Sequence, residues 1–441
     1  MGFSVKFGIA AIVSVLSMST AFAQTEITFW HSMSGQLGQE VESLANDFNK
    51  SQTEYKVVPS FRGEYEESMI ATIAAFRAKQ QPVLVQVYEV GTGTMMAAKG
   101  AVYPVYKLME ETKETFDPSA YLPVVSGYYT DTDGKMLSMP FNSSTPILYY
   151  NKDVFKKAGL DPEKAPKTWE DIESFSKKIL DSKAASCGFT MTYAAHWIGL
   201  ENFSALHNVP YGTKENGFGG LDATLTFNGD LQERLWKDLK KWSDNGVFRY
   251  GGAAGGLNAT PMFVSQNCAM FMQSSGSRGG IVKQAKFDVG FGMLPYYADV
   301  KGAPQNSIIG GASLWVLQGH KDEQYKGAAK FLNFLSLPEN QARWHQNTGY
   351  LPITKAAYEL SKSQGFYEKN PGTEIAIKQI NLNPPTENSK GVRFGNMPQI
   401  RTILDQELEA VLNGSKQPKA ALDEAAARGN QILREFETAN Q

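Results

Sequence analysis

Phe141-Asn142-Ser143-Ser144-Thr145-Pro146 is a polar stretch between apolar flanks, with Met139-Pro140 before it and Ile147-Leu148-Tyr149-Tyr150 after it. Two serines, an asparagine and a threonine are costly to bury unless each finds a hydrogen-bond partner. The stretch follows what reads as a first α/β unit. It is expected to carry the chain from one lobe to another, with the serine hydroxyls lining the cleft between them. An ordinary loop is the plain alternative.

Upstream, Ile27-Thr28-Phe29-Trp30-His31 reads as a strand, and Leu37, Val41, Leu44, Ala45 and Phe48 recur at helical spacing. Tyr55 to Phe61 is a second strand. Met69, Ile70, Ile73, Ala74 and Phe76 mark an amphipathic helix starting near Glu64. Val83 to Tyr88 is a third strand, nearly continuous in apolar residues, as a buried parallel strand should be. Strand, helix, strand, helix, strand predicts a first lobe with a parallel sheet. In open α/β sheets ligands gather beyond the carboxyl ends of strands. Glu89, directly after the third strand, is therefore placed to meet a ligand hydroxyl, or else to flank a solvated helix start. Tyr65 follows Gly63 at the head of a helix.

The N-terminus reads as a separate object. Lys6 precedes the apolar run Phe7 to Val15, and Ala21-Phe22-Ala23 has the small-x-small form of a cleavage site. Residues 1–23 are expected to be a secretory signal, with Gln24 beginning an exported chain. At 441 residues and 42% hydrophobic content the chain has room for two or three domains. A net charge of −2 offers no basic field for nucleic acid or an anionic membrane. The two cysteines, Cys187 and Cys268, suit one disulfide in an oxidising compartment, with two buried thiols as the alternative.

Downstream, Asp131-Thr132-Asp133-Gly134 reads as a hairpin turn and lacks the full ligand set of a calcium loop. Gly251 to Gly256 is glycine-rich but has no Gly-Lys-Ser/Thr ending, so it is not a nucleotide phosphate loop. Ala269-Met270-Phe271-Met272 is a strand that runs into Ser274-Ser275-Gly276-Ser277. Strand, small residues, helix can cradle an anion or can simply cap the helix. Phe291 to Pro295 is expected to be another crossing, and Gly310-Gly311 lets backbone approach closely. Arg401 sits near a helix start, where the macrodipole disfavours a cation unless an anion is nearby. The five histidines show no metal-ligand spacing and no Gly-x-Ser-x-Gly elbow occurs, so no metal, cofactor or catalytic residue is expected.

Taken together, Phe29 to Met33, Gln86 to Thr92, Pro140 to Pro146, Ile308 to Trp315, Thr348 to Thr354 and Gly395 to Arg401 carry a resemblance. The chain resembles the periplasmic solute-binding proteins (extracellular family 1) of ATP-binding-cassette importers, and is similar to those that take up sn-glycerol-3-phosphate. The resemblance implies the two-lobe α/β periplasmic-binding-protein fold, type II and maltose-binding-protein-like, with a hinge between lobes. The lobes are expected at 24–140 with 295–336, and at 141–294 with 337–441. It implies a periplasmic protein that is not an enzyme and is a monomer when free. Its partners would be two membrane permease subunits, ATP-binding subunits and the ligand sn-glycerol-3-phosphate or its diesters such as glycerophosphocholine. The implied ligand-binding residues are Tyr65, Glu89, Ser144, Ser274, Gly311, Tyr350 and Arg401. On this reading Arg401 is the single full charge for the phosphate and Glu89 accepts from the glycerol hydroxyls. Ser144 and Ser274 come from the second lobe, and Tyr65, Glu89 and Gly311 from the first. Tyr193-Ala194-Ala195-His196-Trp197 departs from the pattern, which has two tryptophans; only Trp197 matches. A binding protein for a neutral sugar and an exported glycosidase or phosphodiesterase are the alternatives.

Overall fold

The computed structural model describes residues 1–2, 24–253 and 256–441; the proposed signal segment and its cleavage site at 21–23 lie outside the described residues. Ten strands form two sheets. In the first, β1 (Thr25–His31), β2 (Tyr55–Phe61) and β3 (Leu84–Tyr88) run parallel, as the apolar runs predict. β4 (Val102–Tyr103) and β5 (Met139–Ser144) complete this sheet through β10 (Gly310–Leu317). The sheet is mixed rather than parallel, because β10 pairs antiparallel with β3, β4 and β5. β6 (Pro146–Asn151), β7 (Cys187–Met191), β8 (Cys268–Ser274) and β9 (Val289–Gly292) make the second sheet, in the order β7-β8-β6-β9.

Helices cover both sheets because each presents one apolar face. α1 (Gly35–Ser51) buries Val41, Leu44, Ala45 and Phe48, spaced to share one side. α2 (Tyr65–Arg77) starts at Tyr65 through a reciprocal Glu64–Glu67 capping box. α3 (Trp169–Asp181) opens on the Thr168–Asp171 pair, whose hydroxyl accepts from the Asp171 N–H at 3.1 Å. α4 (Asp230–Asp244), α5 (Arg278–Gln284), α6 (Asp322–Ser336) and α7 (Pro338–Thr348) follow. α8 (Met397–Leu412) and α9 (Pro418–Asn440) close the chain. Among the described residues no helix is long and apolar enough to cross a membrane.

The strand pairing corrects the expected crossing. Ser144 is the last residue of β5 and pairs with Gly310, so it belongs to the first sheet, not the second. Pro146 already pairs with Ser274 in the second sheet. One residue, Thr145, separates the two. The segment after α6 does not keep to the second sheet's side either. Arg343 on α7 reaches α1, with Nε donating to Glu40 at 2.7 Å and Nη1 to Asp47 at 2.6 Å.

Cys187 and Cys268 occupy paired positions on the adjacent parallel strands β7 and β8 and are joined in a disulfide. The bridge closes a loop of sequence separation 81. Replacing both cysteines by alanine is expected to lower unfolding free energy by about 3 kcal/mol, mainly by freeing the unfolded chain. Urea unfolding of the double variant checks it, and a midpoint equal to the parent's would refute it.

Candidate functional site

The crossing stretch is fully enclosed: Asn142, Ser143, Ser144 and Thr145 are all buried. Asn142 shows how this burial is satisfied. The Ser32 backbone N–H, which can only donate, bonds to Gln86 Oε1 at 2.8 Å. Gln86 Nε2 therefore faces Asn142 Oδ1, at 2.8 Å, and Asn142 Nδ2 is left to donate to the Tyr65 hydroxyl at 3.0 Å. One backbone N–H thus fixes the polarity of two amides. The Tyr65 oxygen accepts from Asn142, and its own proton goes on to the Tyr350 hydroxyl. Burial pushes the Tyr65 hydroxyl well above its ordinary range, so it stays protonated.

Tyr350 joins Tyr65 here. Its ring stacks on Trp344, with centroids 5.7 Å apart, and burial raises its hydroxyl as well. Gly276 is required beneath it, because a Cβ there would lie 2.8 Å from the Tyr350 ring. The Ser274 hydroxyl accepts from the Gly276 N–H at 3.1 Å, which again leaves its proton to donate. Gly311 takes φ +95°, and any Cβ there would overlap the Asn142 carbonyl. Only glycine lets β10 run this close to β5.

Arg401 and Glu89 form a second pole. Arg401 Nε donates to Glu201 Oε1 at 2.9 Å, and Nη2 donates to Glu201 Oε2 at 2.7 Å and to Glu89 Oε1 at 3.2 Å. These bonds leave Nη1 outside them. All three side chains are buried. Burial raises the Glu89 carboxyl and Glu201 raises it further, against the pull of Arg401. Burial opposes the charge on Arg401, but Glu201 and Glu89 more than offset this and hold it protonated. Arg401, expected as the single full charge for a phosphate, already faces two carboxylates here. Nor do Glu89 and Glu201 flank an open bond as a glycosidase pair must, since both engage the same nitrogen.

Glu201 was not legible as a site residue. It lies in a π-turn, Trp197–Asn202, where helical spacing fails, and such turns recur at functional sites. Its signal is an acid inside the apolar run Trp197-Ile198-Gly199-Leu200. The same turn reaches the return to the first sheet just before β10; the crossing expected at Phe291 to Pro295 begins in β9, where Phe291 still pairs with Tyr149 in the second sheet. The Ile308 N–H donates to Asn202 Oδ1 at 3.0 Å, and Trp197 Nε1 donates to the Ile309 carbonyl at 3.4 Å. The indole lies so close over Gly310 that a Cβ there would overlap it. Trp197 is thus packed against backbone. Tyr193, at φ +49°, stands edge-on to Trp197 with centroids 5.8 Å apart, and interacts electrostatically with Arg401, Glu89 and Tyr350. Tyr193 lies between the two poles.

The structure thus brings Tyr65 and Tyr350 together, sets Ser144 and Gly311 beside them on paired strands, and pairs Glu89 with Arg401. Ser274 joins from β8, through Pro146.

Comparison with known proteins follows the same lines. Residues 43–374 match the model of the bacterial extracellular solute-binding protein family. The chain is 54% identical, over 429 residues and 97% of each chain, to the sn-glycerol-3-phosphate-binding periplasmic protein UgpB of Escherichia coli O6:K15:H31 strain 536. It is 53% identical over 430 residues, again 97% of each, to the protein of that name from Salmonella typhimurium strain LT2. Among solved structures it is similar to UgpB from Mycobacterium tuberculosis in complex with glycerophosphocholine. There the TM-score is 0.79 at 21% identity, covering 94% of this chain and all of that one. Maltose-bound MalE3 of T. maritima gives a TM-score of 0.75 at 16% identity over 93% of this chain and 100% of that one. At these identities the two structures speak to the fold, which is the two-lobe, maltose-binding-protein-like one.

Proposed function

The chain belongs to the bacterial extracellular solute-binding protein family, and we propose that within it the protein captures sn-glycerol-3-phosphate in the periplasm for an ATP-binding-cassette importer. The curated relatives carry that ligand in their names at more than half identity over nearly the whole chain. Export through residues 1–23 and delivery to two permease subunits driven by ATP-binding subunits belong to the same reading. The relatives are binding proteins, and the chemistry required here is capture without turnover.

The observation that carries the reading is the amide chain leading to Tyr65. It runs on through the Tyr65 hydroxyl to that of Tyr350, whose proton is then the one turned to the ligand, and Ser144 and Ser274 add hydroxyls around it. Such a set can meet phosphate oxygens without a formal charge, as neutral N–H and O–H groups do at other anion sites. The ionic pole suits the other end of the molecule. Glu89 and Arg401 together offer acceptor and donor to two neighbouring hydroxyls, while two carboxylates on one guanidinium would repel a phosphate dianion. The phosphate therefore sits at the hydroxyl pole, and the diol at Glu89 and Arg401.

The test is calorimetric titration with sn-glycerol-3-phosphate, glycerophosphocholine and maltose. The parent protein is expected to bind the first and return it unchanged. Glu89→Gln is expected to weaken it by about 1–3 kcal/mol, because a diol hydroxyl loses its charged acceptor. Binding of maltose alone would sink the reading, and an unaltered affinity in Glu89→Gln would sink the assignment of poles.

A further inference from the structure

Arg278 is a second, part-buried cation near the site, and its situation is the reverse of Arg401's. It opens α5, directly after the Ser274–Ser277 turn. Its Nε is buried without a hydrogen-bond partner, and its guanidinium lies over the Phe291 ring, 5.1 Å from the centroid. Among the described residues it makes no ion pair, and the Tyr149 hydroxyl is the sole titratable group that favours its charge. Taking a guanidinium out of water without a counter-charge is costly. The aromatic face beneath it offsets only part of that cost.

Its place gives the cost a purpose. The Tyr149 hydroxyl donates to the Ser274 backbone carbonyl at 2.8 Å and interacts electrostatically with Arg278, which sets the guanidinium behind the residue that carries a hydroxyl of the phosphate pole. A Cβ at Gly349 would lie 2.9 Å from the Arg278 Cβ, which tucks the side chain under the turn leading to Tyr350. Arg401 is neutralised twice over, whereas Arg278 carries its charge uncompensated behind Ser274 and Tyr350.

We infer that Arg278 is the counter-charge of the anionic ligand, a specificity residue that acts through space behind the hydroxyl donors and favours a phosphate over a neutral head group. This rests on the reading of the hydroxyl pole as a phosphate site. The division of labour is then clear: neutral donors supply geometry, and a part-buried charge supplies the field. A field from behind does not need to be desolvated again when ligand enters, and at a part-buried site it is only partly screened.

The experiment is calorimetry with sn-glycerol-3-phosphate on the parent, Arg278→Met and Arg278→Lys, together with thermal melting of each ligand-free protein. Arg278→Met is expected to bind about tenfold more weakly, a change of the size one partly screened charge produces. Arg278→Lys is expected to keep most of the affinity. Ligand-free Arg278→Met is expected to melt no lower than the parent, because an unpaired, part-buried charge has been removed. Parent-like affinity in Arg278→Met overturns the inference. So does an equal loss in both variants, or a loss that comes with a lower melting temperature, since each marks a packing role. A parent protein that does not bind glycerol-3-phosphate overturns the phosphate reading itself, and this inference with it.

Discussion

Arg401→Ala is expected to abolish ligand capture and, in the ligand-free protein, to lower unfolding free energy by about 3–5 kcal/mol. The second effect is the more telling one. Removing the guanidinium leaves Glu89 and Glu201, 7% and 2% exposed, with no cation between them. Two carboxylates held together in the interior repel each other and cannot recover their hydration. At least one must take up a proton, so the loss should shrink as pH falls. The triple variant Arg401→Met with Glu89→Gln and Glu201→Gln removes every charge and should regain most of the stability while still failing to bind. Chemical denaturation of the three proteins decides it. If Arg401→Ala unfolds like the parent, the ion triad is not holding this corner of the fold.

The second large effect is acid sensitivity set by histidines. His31, His207 and His345 are all buried, and burial lowers each from 6.5 to about 4. Burial and the nearby Arg401 hold His196 well below that ordinary value. The hydrogen bonds of His207 require the neutral ring. His207 Nδ1 donates to the Phe203 carbonyl at 2.7 Å, while Nε2 accepts from the Tyr297 N–H at 2.9 Å. His345 Nδ1 donates to the Tyr350 carbonyl at 2.5 Å, and Nε2 lies 3.1 Å from the Tyr367 hydroxyl. Unfolded, each ring takes a proton as pH falls through 6.5; folded, it does not until about 4. In that window the unfolded chain binds more protons, so stability falls as pH falls, by up to about 1.4 kcal/mol per pH unit for each histidine. Above 6.5 these groups contribute no slope. Unfolding measured from pH 7.5 to 4.5 should therefore show a plateau and then a steep decline. A flat profile would mean that the rings protonate in place.

Much of this architecture was legible before any coordinates. Val83 to Tyr88 shows its burial in its own composition, and Tyr55 to Phe61 is a strand with the expected bounds. Strand direction was not legible. β10 has the same apolar character as β3 but runs against it, and periodicity carries no sign. The placing of Ser144 failed for a related reason. The change of sheet happens within one residue, and β5 and β6 are buried along their whole length on both sides of it. Of the site, Glu89 was visible from its place after β3, and Arg401 from its awkward place near the start of α8. Their common partner Glu201 was not, because it lies 200 residues from Arg401 in a turn that obeys neither helix nor strand spacing. Nor could position alone show that Arg401 is already balanced, or that Arg278 is not.

Thr145 has a mechanical meaning. Its carbonyl accepts from the Ser275 N–H at 2.9 Å, and its hydroxyl lies 2.7 Å from the Ser307 hydroxyl and 2.9 Å from the Ile308 carbonyl, on the other crossing. The two connecting strands are therefore pinned side by side where each changes sheet. A single strand at this point would be a swivel, free to turn in any sense. Two strands fastened together act like the leaves of a door hinge: they bend about one line and resist torsion about the other. Any swing of one sheet against the other about this line would keep its alignment and bring Tyr65 and Ser144 to Ser274 in one register.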